Sequence, residues 1–399
     1  MHKIQLNKFE KGLIIAILFT PFTLLRFGYI GLGEAGILLL FVMTLSSGFI
    51  KKLTKDHPFS RFWLIFLFIS FLGMTYNTFV LDNRIADPES VLFDLAAYIF
   101  IAVTCLTVEN LFHRQQLSLF SLLKYIYLLS GTIFTILFIL SLYTDSLFGL
   151  PLTYFGHFSP LAANLHQVAM FIAPMPFIGL LLIERETGFK LRGLSFLFIL
   201  LFSYLVIETG SFKALAGLLL GFGIYLASRF IRLFKTSYQK PLIVLLVVLF
   251  LLIVVINIQF FSDVLWGIFR AEDLQEGRSS LYSRGFDVAI ISPFIGLGPG
   301  PHIYQDGQFW DSHQTLLTVF IQGGIIGFVL FLALSYKIIR RIWKIGPLIA
   351  GFIPILTYIM GGDIMRRLPV WLLLMFFYYC SIQLEQVNST GNLSETKPT

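Results

Sequence analysis

Charge is what this 399-residue chain has least of: Asp, Glu, Lys and Arg make up 13% of it, against roughly a quarter in soluble globular domains. No stretch is long enough and polar enough to form a separate soluble domain. The two cysteines, Cys105 and Cys380, lie far apart in sequence inside apolar segments. A zinc site needs more ligands at close spacing, so neither a structural disulfide nor a metal cluster is expected. Also missing are a paired-carboxylate site, a DxD-like metal motif, a nucleophile elbow and a P-loop. GLGPGP at Gly296 to Pro301 is not a nucleotide-binding loop, because it has no strand before it and no helix after it in a parallel α/β unit. Its glycines read instead as a tight re-entry of the chain toward the membrane.

What the chain does have is apolar length. Hydrophobic residues are 57% of it, 44 of them phenylalanine, and mean hydropathy is +0.83. This composition defines a polytopic membrane protein. A helix needs about 20 apolar residues to cross the hydrocarbon core, and counting such runs gives about 12 spans. They fall near 12–28, 32–50, 62–81, 91–109, 119–143, 164–183, 193–208, 212–228, 241–260, 314–336, 345–361 and 369–384. The expected fold is therefore all-α, a single transmembrane domain over 1–399 with a tail at 385–399. The basic, apolar N-terminus lacks a small-x-small cleavage site and reads as an uncleaved first span.

Positive charge orients the chain. With the N-terminus cytoplasmic, about 20 Lys and Arg fall on that side and about 8 on the other, a strong positive-inside bias. Both termini are then expected in the cytoplasm, and the long interval between spans 9 and 10, residues 261–313, faces outward. The net charge of +7 carries no nucleic-acid implication in such a chain.

The interval Gly277 to Phe328 is the longest polar stretch and the expected seat of chemistry. It holds Arg278, Arg284 and His313, the last just before a new apolar run. Asp311 or Ser312 is expected to cap that helix, placing the imidazole on its first turn. There the positive end of the helix dipole disfavours imidazolium, and a neutral imidazole can accept a proton. The outer-side cations gather at Lys213, at Arg278 and Arg284, and at Arg366 and Arg367, a set suited to an anionic ligand such as phosphate. The alternative is ordinary outer-loop charges paired with Asp263, Glu272, Asp273, Glu276 or Asp363. His157 and His166 read as local hydrogen-bonders.

These residues also carry a resemblance. Gly277-Arg278, then PFIGLGPG at Pro293 to Gly300, then His313-Gln314, then nine residues to Gly324-Ile325-Ile326-Gly327 resemble the signature of the O-antigen ligase and polymerase superfamily. ETGSFKALAG at Glu208 to Gly217 and SPLAANLHQVA at Ser159 to Ala169 are further, looser matches. The resemblance covers the second half of the chain by motif and the first half by topology alone. It implies a GT-C-like, metal-independent, inverting glycosyltransferase of the bacterial inner membrane that needs no cofactor. The donor is a polyprenyl-diphosphate-linked glycan. The acceptor is lipid A-core for a ligase and a lipid-linked repeat for a polymerase, with the ligase spacing slightly favoured.

By this resemblance His313 is the general base and Arg278 holds the donor diphosphate. Lys213 stands where the family usually has arginine, keeping the charge but losing the bidentate fork. Gln314 is an accepted variant, and Phe328 departs from the ligases' glycine. A twelve-span transporter or flippase is the reading from another class. The loop KKLTKDHPFSR after the second span lacks the signature of the commonest transporter fold, and the polar residues gather at one outer face rather than mid-membrane.

Overall fold

The computed structural model describes residues 6–28, 30–45, 57–81, 88–233, 275–305 and 307–394, without the side chains of 231–233, 275–280 and 387–394. The first half forms helices α1 (Lys8–Phe19), α2 (Leu32–Leu45), α3 (Pro58–Phe79), α4 (Pro88–His113), α5 (Leu119–Ser141), α6 (Leu165–Ile172) and α7 (Met175–Arg185). The second half adds α8 (Phe189–Glu208), α9 (Phe212–Leu233), α10 (Gln275–Ile291), α11 (Thr315–Ile342), α12 (Gly346–Gly361) and α13 (Leu368–Ser394). Eight helices among the described residues, counting α6 and α7 as one, are long and apolar enough to cross a membrane, and α2 and α12 are shorter apolar helices. The chain is a multi-pass membrane protein. Every expected span overlaps a described helix except the ninth, 241–260, which lies outside the described residues, as do 261–274 of the expected loop.

Three features depart from the all-helical expectation. Four two-stranded hairpins join helices: β1 (Arg26–Phe27) with β2 (Ile30–Gly31), β3 (Ser146–Leu147) with β4 (Leu150–Pro151), β5 (Thr153–Tyr154) with β6 (His157–Phe158), and β7 (Ile303–Gln305) with β8 (Gln308–Trp310). The sixth span is broken at Ala173-Pro174, where proline lacks the amide hydrogen that would continue α6. The described part of the polar interval is not an irregular loop. It is α10, then an inward turn, then the β7–β8 hairpin.

A wholly buried aromatic stack of Phe62, Trp63, Phe66, Tyr98 and Trp371 locks α3, α4 and α13 together, with Trp63 and Trp371 ring centroids 4.8 Å apart. At one end of the bundle, helix starts are tied to side chains of other helices. Asn7 and Glu10 form a capping box on α1, and Glu10 also accepts the Ser118 N–H at 2.8 Å. Glu109 of α4 accepts the Phe59 and Ser60 N–H groups that open α3, at 3.0 and 2.9 Å, and the Tyr379 hydroxyl at 2.6 Å. These amides have no partner within their own helix, so the buried carboxylate and the helix end satisfy each other.

The opposite end is shaped by a break in α11. Gly324 has φ 59° and ψ −164°, which frees carbonyls and amides on either side of it. Into this gap comes the turn Pro293 to Gly300. Leu297 and Gly298 donate to the carbonyls of Ile321 and Gln322 at 2.8 and 3.1 Å, and Ile325 donates to the Pro293 carbonyl at 2.8 Å. The approach leaves no room for side chains. A Cβ at Gly324 would lie 2.3 Å from the Phe294 backbone, and one at Gly296 would lie 2.4 Å from that of Gln322. The expected re-entry of the glycine-rich turn thus has a docking place, the broken helix. A small second core of Leu281, Ala289, Leu297, Ile303, Leu317 and Ile321 fastens α10 to this junction.

Candidate functional site

The cap of α11 corrects one sequence expectation. Neither Asp311 nor Ser312 caps the helix. Gln314 does, accepting the Leu317 N–H at 3.2 Å, so His313 precedes the helix rather than riding its first turn. Asp311 and Ser312 are engaged elsewhere: Ser312 bonds the Thr318 hydroxyl at 2.7 Å and Asp311 binds Arg366 at 2.5 Å. His313 itself has φ 51°, a left-handed conformation that costs a non-glycine residue energy and persists only where the surroundings impose it. Those surroundings are visible on both sides. Upstream, Asp311 is clamped by Arg366. Downstream, Thr315 donates its N–H and its hydroxyl to the Gly362 carbonyl, both at 2.7 Å, and its hydroxyl accepts the Ile364 N–H at 3.1 Å.

Arg366 is the hub of this end. It pairs with Asp94 at 2.8 Å, Asp311 at 2.5 Å and Asp363 at 3.7 Å. Desolvation pulls its pKa down, but Asp311, Asp94 and Asp363 outweigh that and hold it well above the ordinary guanidinium value. Burial, partly offset by Arg366, raises the Asp363 carboxyl. Behind Asp94 the network continues inward. Gly300 donates its N–H to Asp94 at 3.1 Å, the Gln322 amide donates to the Gly300 carbonyl at 3.2 Å, and the Tyr98 hydroxyl donates to Gln322. The network therefore joins α4, the re-entrant turn, α11 and the 362–367 segment at one place.

Beside it is a cavity of about 460 Å³ lined by Glu89, Phe93, Trp310, Asp311, His313 and Arg366. A second cavity of about 480 Å³ lies under the β7–β8 hairpin, lined by Arg284, Asp287, Ile291, His302, Tyr304 and Phe309. Phe309 belongs to both. His302, which sequence reasoning passed over, is buried with its pKa pushed down by desolvation. Its Nε2–H donates to the Gly298 carbonyl at 2.9 Å, and Nδ1 has no hydrogen-bond partner among the described residues.

The expected site residues are thus distributed as follows. His313 and Arg366 share a cavity wall, but three carboxylates already occupy the guanidinium assigned to phosphate, and this changes what Arg366 can do. Arg367 follows it, partly buried, with its Nε lacking a hydrogen-bond partner among the described residues. Desolvation and the neighbouring Arg366 charge lower its pKa. Lys213 arrives from α9. Its stem runs along Gly361, where a Cβ would be 3.2 Å from Lys213 Cε, and its carbonyl accepts the Thr357 hydroxyl at 2.8 Å. Arg284 lines the second cavity and donates to the Tyr304 carbonyl at 3.2 Å. Arg278 lies on α10, and its side chain is outside the described residues. His166 bonds Ser211 at 3.1 Å, and Ser211 bonds Tyr358 at 2.7 Å, local roles of the kind the sequence suggests. Among the described residues no group of three His, Cys, Asp or Glu side chains is arranged to hold a metal. The three aspartates that converge do so on a guanidinium.

Fold and site together define a multi-pass membrane protein with a cavity lined by His313 and Arg366 at one end of its helix bundle. Residues 196–332 match the family model described as O-antigen ligase. That match makes this segment, about a third of the chain, similar to the O-antigen ligase family. It includes Lys213, Arg278, Arg284 and His313 and stops short of Arg366 and Arg367. No curated protein and no solved structure matches the chain.

Proposed function

We propose that this chain is an inverting, metal-independent glycosyltransferase of O-antigen ligase type. It moves a glycan from a polyprenyl-diphosphate carrier to an acceptor hydroxyl on the outer face of the bacterial inner membrane, with both termini cytoplasmic. His313 is the general base. The acceptor oxygen attacks the anomeric carbon as its proton passes to the imidazole, and the carbon–oxygen bond to the diphosphate breaks on the opposite side, inverting the centre. The leaving diphosphate takes the electron pair and is held by Lys213, Arg278, Arg284 and Arg367, fixed cations that stabilise charge where it develops. Arg366, balanced by three aspartates, positions the His313 segment rather than binding phosphate. The preferred acceptor is a lipid A-core sugar.

The observation that carries this reading is His313, held in a left-handed backbone at the wall of a cavity it shares with Arg366, within the segment matched to the family. The test is complementation of a deletion strain. His313→Ala restores normal protein level in the membrane but loses about 100- to 10,000-fold in transfer rate, the usual contribution of a general base. Wild-type surface polysaccharide from that variant overturns the base assignment. The glycan left on the carrier in the deletion strain identifies the acceptor class: finished polymer marks a ligase, single repeats a polymerase.

A further inference from the structure

Five non-glycine residues have left-handed backbone among the described residues, and two of them, Phe148 and Phe155, occupy equivalent places in tandem hairpins. The β3–β4 hairpin turns through Phe148-Gly149 with φ 53° and 78°, and the β5–β6 hairpin turns through Phe155-Gly156 with φ 50° and 79°. These are two-residue turns of the I′ type, which favour Asn-Gly because both central residues need positive φ. A bulky aromatic at the first position is a genuine conformational outlier. The ring repays nothing within the fold. Phe148 is 96% exposed and Phe155 86% exposed, and the ring contact recorded for Phe155 is with its own neighbour Tyr154. A hairpin serving the fold alone would be more stable with asparagine in both places.

The base of the two hairpins is firmly held. Leu152 and Phe158 are buried, Leu161 donates its N–H to the Pro151 carbonyl at 2.8 Å, and Leu24 donates to the Leu161 carbonyl at 3.0 Å, joining this unit to the end of α1. On its other side the His157 ring sits against Gly210, three residues before Lys213. The unit is therefore at the end of the bundle that carries His313. Just before the unit, Ile136 and Ile139 of α5 and the following Leu142 and Tyr143 are large apolar side chains that are also exposed.

We infer that the Phe148 and Phe155 rings insert into the boundary between headgroups and acyl chains of the membrane leaflet at the His313 end, anchoring residues 144–163 to that leaflet. Phenylalanine on an interfacial apolar face buries at the boundary between headgroups and acyl chains, and burial there supplies the stabilisation that the left-handed tips lack within the chain. Carbohydrate is the weaker occupant. From Leu142 to Phe158 the only acidic or basic side chains are Asp145 and His157, and there is no Asn, Gln, Arg or Lys to hydrogen-bond sugar hydroxyls beside a stacking ring.

The native cysteines, Cys105 and Cys380, are buried, so an introduced thiol is the one labelled. A fluorophore is attached to Phe148→Cys or to Phe155→Cys of the full chain in phosphatidylcholine vesicles, with Gln308→Cys as a water-facing reference. Insertion predicts quenching by lipids bearing a nitroxide near the headgroup, and iodide quenching at least about twofold weaker than at the reference. A reporter that leaves both rings in place is Asp145→Cys. Adding Phe148→Asn and Phe155→Asn to it raises iodide quenching by about twofold if the rings are the anchor. Iodide access equal to the reference at both tips, no response to the asparagine pair, or protection that appears only on adding soluble glycan overturns the inference.

Discussion

The two ends of the helix bundle use charge differently. At the end holding Glu10 and Glu109, acids cap helix starts, and each acid of an ion pair meets one or two cations: Lys124 with Glu186 at 2.7 Å, Arg229 with Glu184, and Arg341 at 3.0 Å and Lys344 at 4.0 Å with Glu385. At the His313 end a single guanidinium takes three aspartates, while the Nε of the neighbouring Arg367 has no hydrogen-bond partner among the described residues. The first arrangement closes helix ends. The second gathers interlocked charges and the left-handed His313 around a cavity, the kind of place where functional sites cluster.

If that contrast is right, the largest stability effect should come from Arg366. Arg366→Ala leaves Asp94, 1% exposed, and Asp311 without their cation. Breaking a buried ion pair by removing one partner costs about 3–5 kcal/mol. The expected outcome is a fall in the thermal midpoint in detergent large enough to reduce the amount of folded protein. Arg366→Lys should recover part of it, since it restores the charge without the fork that spans Asp94 and Asp311. A midpoint unchanged by Arg366→Ala would mean that the hub is not structural and that the two ends differ less than their geometry suggests.

Gly324→Ala comes next. Alanine at φ 59° and ψ −164°, a region open essentially to glycine alone, costs about 1–3 kcal/mol, and a Cβ 2.3 Å from the Phe294 backbone adds an overpacking cost of about 1–3 kcal/mol. The total, about 3 kcal/mol, should appear as a lowered thermal midpoint together with faster amide exchange at Leu297 and Gly298, whose hydrogen bonds reach the broken helix. Exchange unchanged at those amides would show that the turn does not depend on the break.

This junction also marks how far sequence reading could go. Spans are legible because each is a local run of apolar residues, and His313 and the glycine-rich turn are legible because their order and spacing follow a known pattern. What that pattern does physically is not local. PFIGLGPG and the glycines near 324 answer each other across a backbone junction that hydropathy cannot reveal. Asp94 is harder still. It is a lone acid inside an apolar run, and its partner Arg366 lies 272 positions away. The cap of α11 differs from the sequence expectation for a similar reason: Asp311 is a good capping residue by type, but Arg366 competes for it more strongly than a backbone amide does. The hairpins escape notice because their strands are only two or three residues long and have no periodicity to read.

The smallest effect belongs to the other end. Lys124 looks anomalous in sequence, a cation within the fifth span, yet it meets Glu186 where α7 has ended, with both side chains partly exposed. Its long stem lets the ammonium reach the boundary whether or not the acid is there. Lys124→Met and Glu186→Gln should therefore each shift the midpoint slightly, and a double-mutant cycle should return a coupling of about 0.2–1 kcal/mol, as for other accessible pairs. A coupling comparable to that of Asp94 with Arg366 would erase the distinction between the ends. A coupling in the expected range confines strong electrostatic interdependence to the end where the His313 cavity opens.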